Sequence, residues 1–230
     1  VANVSHEIRT PVTVIGGFAE TMLDLDLEPV QQREYLENIL KHSQTMQSLV
    51  EDLLVLSSLE ASIDDAADDS IDIARMFEML AADARDVSGG SHTIVTEPPQ
   101  DLILQGSQTE IESAVRNLLT NAVRYTEQGG QIKLEWSLHD GDGWISVRDN
   151  GIGIAPEHLP RLSERFYRVD RSRSRSTGGT GLGLAIVKHI AIRHNATMHI
   201  ESKPGEGSTF SLIFPASQFH PASATANRAR

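Results

Sequence analysis

Apolar residues recur at alternating three- and four-residue steps through Val1, Val4, Ile8, Pro11, Ile15, Phe18, Met22 and Leu25, and this spacing leaves few folds open to the start of the chain. Such steps put every apolar side chain on one stripe of a helix, the seam of a coiled coil. The helix is expected to reach about Leu27. Pro29 suits the first turn of a second helix, in which Tyr35, Ile39, His42, Met46, Leu49, Leu53 and Leu56 keep the spacing. A short turn between the two makes an antiparallel hairpin. A hairpin with a long seam on each helix cannot bury both alone, so a partner hairpin closing a four-helix bundle is expected, that is, a homodimer. The alternative is packing against the chain's own downstream domain.

His6 falls opposite the seam and is expected to be exposed. Thr10 lies one turn further on the same face, and Glu7 flanks the ring, where its carboxylate can accept a hydrogen bond from one ring nitrogen. Pro11 has no N–H to give the helix and is expected to bend it just past the histidine, leaving a hinge. Taken singly, a histidine on a helix is an ordinary surface residue.

Composition removes several classes of function. A net charge of −12 over 230 residues, with a pI near 5.1, argues against general binding to nucleic acid or to anionic lipid. There is no cysteine, which excludes disulfides and thiolate chemistry. No apolar run is long enough to cross a bilayer, so no membrane contact is expected of this stretch itself. The chain opens at Val1 inside a helical pattern, which reads as an excised part of a longer protein.

From Glu60 to Asp72 the sequence is dense in Asp, Ala and Ser and reads as a solvated linker, with a boundary near residue 65. The hairpin is thus assigned to 1–64 and a second domain to 65–216. In that domain helices are expected over Ile73–Val87, from Ser107 with Glu110 completing a capping box, and over Leu182–His194. Strands are expected at His92–Glu97, Leu102–Gln105, Ile132–Leu138, Trp144–Arg148, Thr197–Ser202 and Ser208–Phe214, with Asp140–Gly143 as a hairpin turn. Residues 217–230 lack periodicity and are expected to be a disordered tail.

Three stretches of the second domain have chemistry to offer. Asn117 and Asn121 share a helix face, with Arg124 a turn beyond and Tyr125 beside it. Amide oxygens can ligate Mg2+, Arg can pair with phosphate, and Tyr can cover a base. Two such Asn are equally at home on a plain polar face. Asp149-Asn-Gly151-Ile-Gly153 follows a strand, where the carboxylate could accept a hydrogen bond from an exocyclic amine, or simply close a turn. Gly178-Gly179-Thr180-Gly181-Leu182-Gly183-Leu184 opens a helix whose first N–H groups can cradle phosphate. It is no P-loop, since the Gly-Lys-Ser/Thr ending is missing, and no Rossmann fingerprint, since Arg171–Thr177 precedes it where a strand is required. That Arg/Ser stretch reads as a mobile loop able to fold over a polyphosphate.

The order of these pieces is more specific than any one of them. The H box around His6, the N box Asn117-Leu-Leu-Thr-Asn121-Ala, the G1 box Asp149–Gly153, the F-box region Glu164–Asp170 and the G2 box Gly179–Gly183 together resemble the sensor histidine kinases of two-component systems. The wording of Val4–Pro11 and of Arg165–Asp170 is most similar to the phosphate-regulon sensor kinase subgroup. Leu162 stands where many members carry a phenylalanine, and His194-Asn195-Ala196 replaces the commoner His-Gly-Gly.

The resemblance implies an α+β architecture, a dimerising antiparallel helical hairpin followed by a Bergerat-type ATP-binding α/β sandwich. It implies ATP and Mg2+ as cofactors, with Asn121 ligating the metal and Asn117 and Arg124 near the phosphates. Tyr125 would pack near the adenine and Asp149 would read its amino group. Gly151 and Gly153 would shape that turn, and Arg168, Gly179, Thr180, Gly181, Leu182 and Gly183 would hold the triphosphate. His6 would attack the γ-phosphorus with Glu7 as proton acceptor, and pass the phosphoryl group to an Asp on a response regulator receiver domain. Thr10 would help orient water for dephosphorylation of that regulator. The implied location is the cytoplasmic portion of an inner-membrane-anchored bacterial sensor kinase. A docking module without phosphate transfer is the reading of a different class.

Overall fold

The computed structural model describes residues 2–61, 69–169 and 179–222. Two antiparallel helices come first, α1 (Ala2–Asp24) and α2 (Pro29–Ala61). Pro11 is buried and α1 continues through it to Asp24, so the expected hinge is not a break in the helix. Two seam residues, Phe18 of α1 and Tyr35 of α2, meet between the helices with ring centroids 4.9 Å apart. At 33 residues α2 outruns α1 at 23, and its last turns find another neighbour. Leu56 and Leu59 are buried in the core of the downstream domain, with Leu53 packed against it. The end of the seam therefore covers the chain's own second domain and not a partner hairpin, because α1 does not extend alongside it.

The linker expected up to Asp72 is shorter than its composition suggests. Asp69–Asp72 forms strand β1, and Asp72 caps helix α3 (Ile73–Ser88) by accepting the N–H of Arg75 at 3.1 Å. The boundary expected near residue 65 lies outside the described residues. Strands β2 (Thr93–Glu97) and β3 (Leu102–Gly106) lead to helix α4 (Gln108–Tyr125). A two-residue turn, Asp140-Gly141, with φ of 53° and 92°, joins β4 (Gln131–His139) to β5 (Asp142–Asp149). Two left-handed residues match the twist of a tight hairpin. Helix α5 (Gly183–Arg193) and strands β6 (Thr197–Lys203), β7 (Gly207–Phe214) and β8 (Phe219–Pro221) follow.

The main sheet has the order β2-β4-β5-β7-β6, parallel only between β2 and β4. Ile132 and Leu134 alternate with Lys133 and Glu135 along β4, which gives the sheet one apolar face. Residues of α3, α4 and α5 such as Phe77, Ile111, Leu118 and Ile186 share one core with that face. This is a two-layer sandwich whose helices α4 and α5 lie side by side.

The C-terminal assignment requires correction. Residues 219–221 are not a disordered tail: β8 pairs antiparallel with β3 and completes a small sheet of order β1-β3-β8. Phe219 meets Trp136 edge to face at 5.2 Å. A three-residue strand carries no readable periodicity, and its pairing is set by residues more than a hundred positions away. Residues 223–230 lie outside the described residues.

The capping box at Ser107 is only half formed. Ser107 accepts the N–H of Glu110, but Glu110 does not reach back. Its carboxylate pairs with Arg193 at 3.1 Å, and the Ser107 N–H goes instead to Nε2 of the buried His194, 3.0 Å away. Nδ1 of the same ring donates to the Ile190 carbonyl at 2.8 Å, so the neutral ring ties the start of α4 to the end of α5. A His194→Ala variant leaves the Ser107 N–H without an acceptor and is expected to lose about 1–3 kcal/mol from that alone. A lowered urea midpoint with unchanged slope is the measurement that checks it.

Candidate active site

A cavity of about 1110 Å3 lies between α4, the turn after β5, the segment 162–169 and the start of α5, with a further wall from α2. The sequence-predicted residues Asn117, Asn121, Arg124, Tyr125, Asp149, Gly153, Arg168, Gly179, Thr180, Gly181 and Gly183 all line it. Helical spacing explains the first four, which project from the exposed side of α4 while Leu118, Leu119 and Ala122 anchor its other side in the core. Asn117 donates from Nδ2 to the Ser113 carbonyl at 3.0 Å, leaving its oxygen directed at α5. A Cβ on Gly183 would stand 2.6 Å from that oxygen, so glycine here lets the Asn117 amide keep this position.

Asp149 ends β5 and is buried. Its Oδ1 accepts the N–H of Gly151 at 2.9 Å, and burial pushes its pKa above the usual carboxylate range against that bond and the Ser208 N–H. Gly153 has φ of 65°, and a Cβ there would fall 2.0 Å from the Lys203 carbonyl oxygen, so the turn beside Asp149 requires glycine twice over. A carboxylate with a raised folded-state pKa contributes stability that is complete below its unfolded pKa and lost as pH rises through the folded one. Ionising the buried Asp149 is therefore a cost to the folded chain that grows as pH rises. Asp149→Asn, which keeps an acceptor for the Gly151 N–H but no longer ionises, is expected to remove this fall in stability with rising pH, checked by comparing thermal midpoints of the two chains across a pH series.

Gly151 and Leu182 do not line the cavity. Leu182 is fully buried in the core and its N–H is taken by Thr180 Oγ1 at 3.2 Å, so it supports the G2 loop and presents no side chain to the cleft. The loop is strapped to the F-box region by the Phe166 N–H, which donates to the Gly181 carbonyl at 2.9 Å. Tyr167 also lines the cleft, fixed by His158 at 2.8 Å and by the Arg161 guanidinium 4.2 Å above its ring. The Arg/Ser stretch expected to form a mobile loop falls in residues 170–178, outside the described residues.

The wall from α2 follows the alternative packing, the hairpin against its own downstream domain, but no motif in the sequence marks its residues. Ser48, Glu51, Asp52 and Val55 face the cavity, and Asp52 accepts a 2.6 Å hydrogen bond from Thr180. The only sequence signal was that this stretch of α2 is polar beside its seam. His6 is exposed on α1, as its place opposite the seam predicted, and is not among the residues lining the cleft. Thr10 stands one turn away with its hydroxyl on the His6 carbonyl at 3.2 Å. The structure thus gathers the N, G1 and G2 residues into one site and leaves the H box outside it.

The family described as histidine kinase-, DNA gyrase B-, and HSP90-like ATPase matches residues 106–218, and the His Kinase A (phospho-acceptor) domain matches residues 1–62. Together they take in most of the chain. The chain belongs to the sensor histidine kinases. It is 46% identical over 221 residues to the phosphate regulon sensor protein PhoR of Pseudomonas aeruginosa, across 95% of this chain and 50% of that protein. It is 39% identical over 222 residues to the sensor-like histidine kinase SenX3 of Mycobacterium tuberculosis, across 94% and 53%. The chain therefore spans about half the length of the curated relatives it matches. Among solved structures, the fold superposes on histidine kinase ThkA in complex with response regulator protein TrrA with a TM-score of 0.75 at 22% identity, over 94% of this chain and 60% of that one. Full-length ShkA in complex with AMPPNP gives 0.68 at 26%, over 96% and 46%. No described helix of this histidine kinase is long and apolar enough to cross a membrane.

Proposed function

We propose that this histidine kinase binds ATP in the cleft between α4 and α5, phosphorylates itself on His6 and passes the phosphoryl group to an Asp of a response regulator receiver domain. The observation that carries the reading is the convergence of Asp149, Asn121, Arg124 and the G2 glycines on one cavity of nucleotide size. Adenine enters beside Tyr125 with its amino group on Asp149. The phosphates lie toward Arg124, Arg168 and the first turn of α5, where backbone N–H groups and the helix dipole favour negative charge. Asp149→Asn then sets a donor against a donor and costs about tenfold or more in adenine-nucleotide affinity.

Mg2+ would be held by the amide oxygen of Asn121, a hard donor on the cleft side of α4. When bound, it supplies charge neutralisation at the phosphates. His6 attacks the γ-phosphorus as a neutral imidazole, an N–P bond forms, the bond to the ADP oxygen breaks, and the proton on the other ring nitrogen passes to Glu7. Because His6 stands outside the cleft, the reaction requires the catalytic domain to move along or across the hairpin. Thr10 aligns water for the reverse task, dephosphorylation of the regulator. The hairpin, 1–64, pairs with a second copy, and the exposed Leu36, Leu40, Val50 and Leu54 on α2 supply apolar surface for that dimer. The ATPase domain starts near residue 65 and, with β8 included, runs to 222. The natural setting of the chain is the cytoplasmic side of an anchored sensor.

Incubation with γ-labelled ATP and Mg2+, followed by acid and base treatment, tests the chemistry. Acid-labile, base-stable label is expected; acid-stable label, or binding of ATP with no label in a dimeric chain, would sink the phosphotransfer reading in favour of a docking module.

A further inference from the structure

We propose that Asp52 is a built-in phosphate mimic: its carboxylate occupies the anion subsite at the start of α5, so the docked hairpin and the nucleotide's phosphates exclude one another, and nucleotide binding releases the catalytic domain from α2. The proposal rests on the reading of the cleft as an ATP site. Asp52 Oδ2 accepts from Thr180 Oγ1 at 2.6 Å, a short O–H···O hydrogen bond. The same Oγ1 accepts the Leu182 N–H that opens α5. The carboxylate is thereby coupled to the N-terminal end of an 11-residue helix, the position a phosphate would take. Burial, with the neighbouring Glu51, pushes its pKa above the usual carboxylate range, against the Thr180 hydrogen bond and the charge of Arg124. Glu51, its neighbour on α2, lines the same cavity.

Docking has a second anchorage clear of the cleft. Glu60, near the end of α2, pairs with Arg165 of the F-box region and stands 3.6 Å from His189 of α5. Leu56 and Leu59 add buried apolar surface between these two charged points. A triphosphate drawn to Arg124 and the start of α5 meets two carboxylates in a partly desolvated space, where like charges repel strongly. The coupling is reciprocal: whatever weakens docking strengthens nucleotide binding by the same factor, because only the undocked fraction is competent.

Asp52→Asn keeps the shape and an acceptor for Thr180 but removes the charge, and is expected to tighten AMPPNP binding about tenfold in a titration of the full chain. Glu60→Gln loosens docking without touching the cleft and is expected to tighten it about threefold. The chain has no cysteine, so Gln44→Cys and Glu78→Cys take spin labels at those two exposed positions alone. Diluted with unlabelled chain, the labelled protein should show a distance that lengthens on adding AMPPNP and is already long with Asp52→Asn. Unchanged affinity in both variants overturns the proposal. Affinity that falls in Asp52→Asn only when Mg2+ is present also overturns it, and makes Asp52 a metal-positioning acid instead. Failure of the unsubstituted chain to bind AMPPNP takes down the nucleotide-site reading beneath it.

Discussion

His6→Gln is expected to abolish incorporation of label from γ-labelled ATP while leaving AMPPNP affinity within about twofold. The two halves of the result come from the separation of the two sites. Gln has no ring nitrogen to attack phosphorus, and no second imidazole shares the exposed face of α1. The cleft is lined from α2, α4, α5, the turn after β5 and the segment 162–169, and His6 is not among its lining residues, so its loss should not alter nucleotide binding. As an exposed helix position, it should also change stability by no more than about 0.5 kcal/mol. Residual labelling of the variant at another histidine would displace His6 from the acceptor role.

Asn121→Ala is expected to lower the rate of labelling by about 10²–10³, the range seen when one preorganised polar group is withdrawn from a developing charge. The fold should survive, since Asn121 is only half-buried on the cleft side of α4 and the helix's core residues are untouched. The loss should be steeper at low Mg2+ and should not be shared by Asn117→Ala, whose amide is tied to the Ser113 carbonyl. Labelling that proceeds at the original rate across a Mg2+ titration would remove Asn121 from the site.

The nucleotide side of this site was legible because each of its pieces is local. Helical spacing alone puts Asn117, Asn121 and Arg124 on one face, and a glycine whose Cβ would collide, as at Gly153 or Gly183, leaves its mark directly in the sequence. What could not be read depends on partners remote in sequence. Glu110 looks like half of a capping box until Arg193 and His194 arrive from α5 to claim both of its roles. Phe219 looks like a stray aromatic until β3 pairs with β8 and Trp136 meets its ring edge to face. Asp52 is one more polar residue beside an apolar seam, and its bond to Thr180 spans 128 positions of sequence. Leu56 kept perfect register with the seam and still belonged to another core, because periodicity fixes which face is apolar but not what covers it.

The length of α2 gives the hairpin a mechanical property. At 1.5 Å per residue its 33 residues form a rod of about 50 Å, unbroken from the hairpin turn to the wall of the cleft. Asp52 sits about 35 Å along this lever arm from Pro29. A tilt of roughly 5° at the turn displaces that end by about 3 Å, more than the 2.6 Å bond to Thr180 can follow. A small angular input at one end of the hairpin therefore arrives at the cleft as a gap of atomic size.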